Sequence, residues 1–196
     1  MGRRSDHSRE ELSRLIIAEG HKHMAEVGFA RFSAREVAKR IGYSIGTIYN
    51  VFGTHDRLVL AINTRTFQFW SEHLRALLAN ADGDRIAVLV EAYFSFAREN
   101  RNVWMAIYDH RLPADVAMPD EEAAQRGELT ELVLREVTAV LPDRAHSDAP
   151  RLARSLIATV HGHCTFALNG TFALMGEAEP LATALSRVRE SIAAAR

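Results

Sequence analysis

An all-α fold is the expectation for this chain of 196 residues, and three observations carry it. Apolar residues recur near helical spacing along most of the chain. The breaks between those stretches carry Gly, Pro or capping residues at helix-length intervals. No run alternates apolar and polar residues over the length of a strand. About nine helices are expected, with no internal repeat and no low-complexity segment.

The elements follow in order. Ser8 and Glu11 form an S-x-x-E capping box that opens the first helix. Leu12, Ile16, Met24 and Val27 supply its apolar face, and Gly28 is its natural stop. Ser33 and Glu36 make a second capping box, for a short helix ending at Gly42. Ser44 caps a third. Thr54 caps a fourth, long helix running to about Asn80. Further helices are expected at 83–99, 101–110, 120–141, 148–175 and 180–194. Gly83 and the stretches "RLPADVAMPD", "LPDRAHSDAP" and "GEAEP" separate them. The helix at 148–175 is apolar on all sides, which suggests burial on all sides. Leu181, Leu185, Val188 and Ile192 form one stripe on the last helix, the candidate contact with a second copy of the chain.

Composition bounds the function. Apolar content of 47% suits a globular protein with a core. No run of about 18 apolar residues could span a membrane. The start, "MGRRSDHSREEL", lacks the apolar core of a signal peptide, and Cys164 is the single cysteine. Both fit a reducing cytoplasm. Net charge is -1, with +3 over residues 1–57 (ten Lys/Arg, seven Asp/Glu) and -4 over 58–196 (fourteen and eighteen). A basic head on an acidic body is compatible with nucleic acid at one end.

The stretch "SIGTIYNVFGTHDRL", residues 44–58, is too short and polar for a core helix and too regular for a loop. Residues 34–52 read as two short helices and a turn. Val37, Ala38, Ile41 and Ile48 make a small core between them, and Gly42 permits the turn. Tyr43, Ile45, Thr47, Tyr49 and Asn50 are then left around the outside of the second helix. A helix so presented fits the major groove of duplex DNA. Its N-terminus and the hydroxyls of Ser33, Ser44, Thr47 and Tyr49 can hold phosphates. A plain helical hairpin is the alternative reading of the same spacing.

From Ile16 to Leu58 the chain resembles, without a gap, the N-terminal domain of TetR-family transcriptional regulators. The residues that carry the resemblance are Ile16, Ile17, Met24, Gly28, Ser33, Val37, Ala38, Gly42, Ser44, Gly46, Thr47, Ile48, Tyr49, Phe52 and Leu58. "SIGTIYNVF" follows the family's S-x-G-T-x-Y-x-x-F. The resemblance implies a helix-turn-helix domain at 1–57 and a helical effector-binding and dimerisation domain at 58–196. It implies a homodimer on palindromic operator DNA, usually a repressor released by a small molecule. His55 stands where the family often has Lys, and an imidazole is cationic only when protonated. Tyr43 and Ile45 depart from the common small apolar and polar residues. "NVWMAIYDH" and "VHGHCTFALNG" resemble, more weakly, a subgroup with a W-H-G signature, Val160 replacing the Trp.

An effector site needs apolar lining and a few polar groups. The aromatic residues Phe67, Trp70, Phe94, Trp104, Tyr108 and Phe166, with His161, Cys164 and Asn169 on one long helix, are the candidates, for an apolar or aromatic effector. His161 and Cys164 share a helix face, but two facing ligands are too few for a zinc site. No metal and no cofactor is expected. No Glu-x-x-His pair, P-loop or G-x-G-x-x-G occurs, so no enzyme is expected. A ligand-binding helical dimer without DNA activity and a helical metalloenzyme are the alternatives.

Overall fold

The computed structural model describes residues 7–114 and 116–196. Among them it contains ten α-helices, two 3-10 segments and no strand. The helices are α1 (Arg9–Val27), α2 (Ala34–Arg40), α3 (Ile45–Phe52), α4 (His55–Ala79), α5 (Arg85–Glu99), α6 (Arg101–Asp109), α7 (Asp120–Ala139), α8 (Ala149–Leu168), α9 (Thr171–Met175) and α10 (Pro180–Ala194). They gather into two compact units. One comprises the chain up to Phe67 together with Asn100–Ala123; the other comprises Gln68–Glu99 and Ala124–Arg196. The helix α4 is continuous through Phe67 and Gln68 and contributes to both.

Local chemistry sets the first helices. Ser8 caps α1 with the full reciprocal box: its Oγ accepts from Glu11 N at 3.2 Å, and Glu11 Oε2 accepts from Ser8 N at 2.7 Å. Ser33 Oγ caps α2, accepting from Glu36 N at 3.3 Å. The Glu36 carboxylate does not reach back as a second box would require. It reaches forward to Arg40 Nε at 3.4 Å, because Arg40 gathers Glu19 and Glu26 as well, at 3.2 and 2.8 Å. That cluster ties α1 to α2. Gly42 sits in the turn with φ 76°, a backbone conformation that L side chains rarely adopt. Thr54 Oγ1 caps α4 by accepting from Arg57 N at 3.2 Å.

The first unit is built on one core. Ile16, Met24, Val37, Ile48, Leu58 and Ile62 are fully buried in it. The helix α6 belongs to this core, supplying Val103 and Ala106. Side-chain amides fasten it: Asn63 Nδ2 donates to Ala106 O at 3.0 Å, and Asn102 Nδ2 to Ala25 O at 2.7 Å. His110 Nε2 lies 3.2 Å from Asp56 Oδ1. Trp104 is wholly buried in this unit, with Tyr108 edge-on to it at 5.2 Å.

The second unit packs α5, α8 and α10 together, with Leu74 and Leu78 of α4 and Leu132 of α7 in a core of their own. Arg85 grips the buried carboxylate of Glu136 at 2.6 and 3.0 Å, joining α5 to α7. Arg189 reaches Asp84 at 2.6 Å from α10.

Two further expectations are corrected. The helix expected at 148–175 is two helices, because Gly170 takes φ 81° in the left-handed region and Asn169 Oδ1 accepts from Thr171 N at 2.9 Å. That turn ends α8, and it makes ten helices where about nine were expected. Nor is this stretch buried all round. Ala153, Leu156, Val160 and Cys164 face the core, while Arg154, Ala158 and Phe166 are exposed. Its mixed small and apolar residues read as one continuous apolar surface only when the turn at Gly170 is overlooked.

Candidate nucleic-acid interface and a second candidate site

The stretch 44–52 forms the eight-residue helix α3, and its two faces differ. Ile48 is fully buried. Ile41, Ile45, Val51 and Phe52 pack partly buried on the same core. Ile45 is therefore a correction: it was expected on the outer surface, but it lies three residues before Ile48, on the same helical face. Tyr49 and Asn50 are exposed, and Ser44 and His55 with them.

The start of α3 is held by its own hydroxyls. Ser44 Oγ accepts from Thr47 N at 3.1 Å and lies 3.0 Å from Thr47 Oγ1. Thr47 is half-buried, and its hydroxyl serves the helix start as well as any outside group. The Tyr43 ring is half-buried, its hydroxyl 3.0 Å from His7 Nδ1. Ser33 is half-buried at the start of α2, and His55 begins α4 with its ring 5.8 Å from Phe32.

One positioning group left no sequence signal. Arg9 Nη2 donates to the carbonyl oxygens of Asn50 at 3.3 Å and Val51 at 3.2 Å. It places a cation against the last turn of α3, where the helix dipole is negative. The partners stand some forty residues apart in sequence, which no local pattern encodes.

The candidate effector residues divide between the two units. Phe67, Trp104 and Tyr108 belong to the first unit; Trp70, Phe94, His161, Cys164, Phe166 and Asn169 belong to the second. Trp70 is buried, stacked on Phe96 at 4.9 Å, and Phe94, two residues before Phe96, is buried too. Phe166 is exposed, and Asn169 is spent on the turn that ends α8. Cys164 is fully buried, and burial pushes its thiol up to about 12, so it is no nucleophile. His161 Nδ1 lies 3.0 Å from Tyr93 OH, and burial holds the imidazole below its usual value. His163 turns instead to the Thr159 carbonyl at 2.8 Å. Among the described residues no three His, Cys, Asp or Glu side chains gather as a metal site would need.

The second unit does contain a cleft, lined by nine aliphatic side chains and Tyr93. None of the candidate effector residues lines it. Val188 does, and it is only 3% exposed. Ile192 is buried too, whereas Leu181 and Leu185 are half-exposed. The last-helix stripe was expected to lie open in a single copy. Its lower half instead faces the protomer's own core, because α10 packs along α8. The open apolar surface lies elsewhere, on Phe166, Leu174 (92% exposed) and Met175 (66%).

Comparison with known proteins accords with this architecture. Residues 16–62 match the family model for bacterial regulatory proteins of the tetR family. Residues 86–188, just over half the chain, match that of the tetracyclin repressor-like C-terminal domain. A search of curated proteins finds no match. Among solved structures, a protein of unknown function from Rhodococcus sp. RHA1 is 22% identical at TM-score 0.72, covering 97% of each chain. The putative regulatory protein SCO4313 is 23% identical at TM-score 0.68, over 92% of this chain and 96% of that one. The multidrug binding protein EbrR, complexed with imidazole, is 20% identical at TM-score 0.63, over 95% and 96%. No helix among the described residues is long and apolar enough to cross a membrane. With an N-terminal helix-turn-helix and a helical remainder that both match, the chain belongs to the TetR family of transcriptional regulators.

Proposed function

We propose that this regulator is a repressor that binds a palindromic operator as a homodimer and leaves it when a small molecule enters its second unit. The observation that carries the reading is the two-faced helix α3: Ile48 fixes it to the core while Tyr49 and Asn50 face outward. Such a helix offers side chains to base edges from a fixed platform. The reading head is residues 1–57, and residues 58–196 form the effector and dimerisation part. Ser44, Thr47, Tyr49, Asn50 and His55 are the DNA-facing residues, Tyr43 and Ser33 lending hydroxyls to phosphates.

One short helix reads too few base pairs alone, so a second head must share the site. The exposed Phe166, Leu174 and Met175, with half-exposed Leu181 and Leu185, offer the apolar surface for a self-complementary contact. The small-molecule arm is supported by the cleft in the second unit and by the likeness to a protein described as multidrug binding.

The test is selection of bound duplexes from a random pool, with the mass of the free protein measured by ultracentrifugation. A two-fold symmetric motif, a dimeric mass and a log K that falls linearly with log salt are expected. Phe166→Glu with Leu174→Glu should give folded monomers that lose tight binding. A pool that never converges on symmetry, or a double variant that stays dimeric with full affinity, contradicts the reading.

A further inference from the structure

We propose that Arg3 and Arg4, which precede α1 and lie outside the described residues, are a further DNA contact of this regulator, pairing with backbone phosphates beside the bases that α3 reads. This contact rests on the reading of α3 as the DNA-facing helix, and it supplies the charge that this helix lacks.

The reading surface itself is uncharged. From Ile41 to His55, fifteen residues, the sequence has no Lys, Arg, Asp or Glu. A large share of the affinity of a DNA-binding protein nonetheless comes from cations set against phosphates. The hydroxyls of Tyr43 and Tyr49 can bond a phosphate, but they do not neutralise it. Several cations of the first unit are already engaged within the protein. Arg9 Nη2 donates to the carbonyl oxygens of Asn50 and Val51 at 3.3 and 3.2 Å. Arg40 holds Glu19, Glu26 and Glu36, and Lys39 lies 3.9 Å from Glu36 Oε2. Arg35 and Arg57 lie on α2 and α4, the elements before and after α3 in the chain. Ahead of α1, the cations are Arg3 and Arg4.

The start of α1 is fastened against the reading helix at both of that helix's ends. His7 Nδ1 lies 3.0 Å from the hydroxyl of Tyr43, the residue before the Ser44 cap, and Arg9 reaches the last turn of α3. Chain length then limits where the two arginines can be. Arg4 is three residues from His7 and Arg3 is four, so their Cα atoms lie within about 11 and 14 Å of it whatever path the backbone takes. Residues 1–9 carry three Arg and one Asp, net +2. Two guanidiniums are thus held at high local concentration beside any duplex seated on α3. Each can bond phosphate oxygens in bidentate fashion.

The experiment uses the full-length protein with no tag ahead of Met1 and titrates it against the selected duplex and a scrambled one over a range of salt concentrations. Arg3→Ala with Arg4→Ala should leave the Tm and the selected motif unchanged. It should weaken both duplexes by the same factor, on the order of tenfold or more. The slope of log K against log salt should become shallower by about 1.8 for each protomer bound, the release of two counterions. Arg3→Lys with Arg4→Lys should keep the wild-type affinity and slope, since a phosphate accepts either cation. A loss confined to the selected duplex, or one that the lysine variant shares, would overturn the assignment. A steep wild-type slope that the alanine variant retains sinks the arginine contact alone. A wild type without salt dependence on either duplex sinks the reading of α3 and this contact together.

Discussion

The two units differ in how their working surfaces are written into the chain. In the first, Ser33, Gly42, Ser44 and Ile48 fall within sixteen consecutive residues and settle the helix-turn-helix between them. Each acts over three or four positions, as a cap, a turn or a core contact, and each is placed in the structure by that local role. In the second, the cleft draws its walls from four helices whose positions span some hundred residues, Ile86 to Val188. Branched aliphatic residues line it, and nothing local separates Val160 of the cleft from Leu152 outside it. The lesson is physical: a site built from caps and turns leaves a local signature, whereas a site built from a packing defect does not.

The largest expected effect tests the local half of that comparison. Ile48→Asp should cost at least about 4 kcal/mol, since it buries an unpaired carboxylate in a fully closed position. A thermal melt should show the head unfolded near room temperature. A variant with the wild-type melt would mean that Ile48 does not face the core.

Acid should strike the first unit by a route that sequence patterns did not reveal. Burial is the leading cause that holds both His21 and His23 below the usual value, His21 down to about 4. The unfolded chain takes up protons below pH 6.5 that the folded form refuses. Stability is therefore complete above that pH and is lost as pH falls toward 4. From pH 6.5 to 4.5, before the carboxylates titrate, the loss should be on the order of 2 kcal/mol. Denaturant melts across that window measure it, and His21→Gln should flatten the decline. A decline of unchanged steepness in that variant would assign the acid sensitivity to other groups.

Tyr49→Phe should weaken operator binding by roughly 1–3 kcal/mol, the worth of one bond to a charged acceptor, with no change in Tm. Thr47→Ala should do less to binding than position alone suggests, and should lower Tm by a degree or two. Its hydroxyl already serves Ser44 at 3.0 Å. Equal effects from the two variants would erase the distinction between outward-facing and helix-capping hydroxyls. The smallest effect concerns Cys164. A buried thiol pushed up to about 12 should resist maleimide in the native protein at pH 8 and react on unfolding.

The rest was not legible for separate physical reasons. Aromatic content does not mark a pocket here: Trp70 and Trp104 are core members, each packed against its own neighbours. The long apolar run at 148–175 concealed a left-handed glycine, because Gly170 is preceded by an ordinary helical sequence. Arg9 could not be connected to α3 from sequence, since its partners are backbone carbonyls. What was legible followed local rules: the Ser8, Ser44 and Thr54 caps, the buried Ile48, and nearly every helix boundary after residue 80 apart from the split at Gly170.

The central claim is that the outward face of α3 reads DNA sequence. The most direct measurement repeats the random-pool selection with Asn50→Ala, a substitution at an exposed position. A side chain that touches a base edge determines preference at one position in each half-site. The account predicts that the variant keeps the wild-type Tm and salt slope while its selected motif relaxes at two symmetry-related positions. A motif identical to that of the wild type, selected with identical affinity, would contradict it.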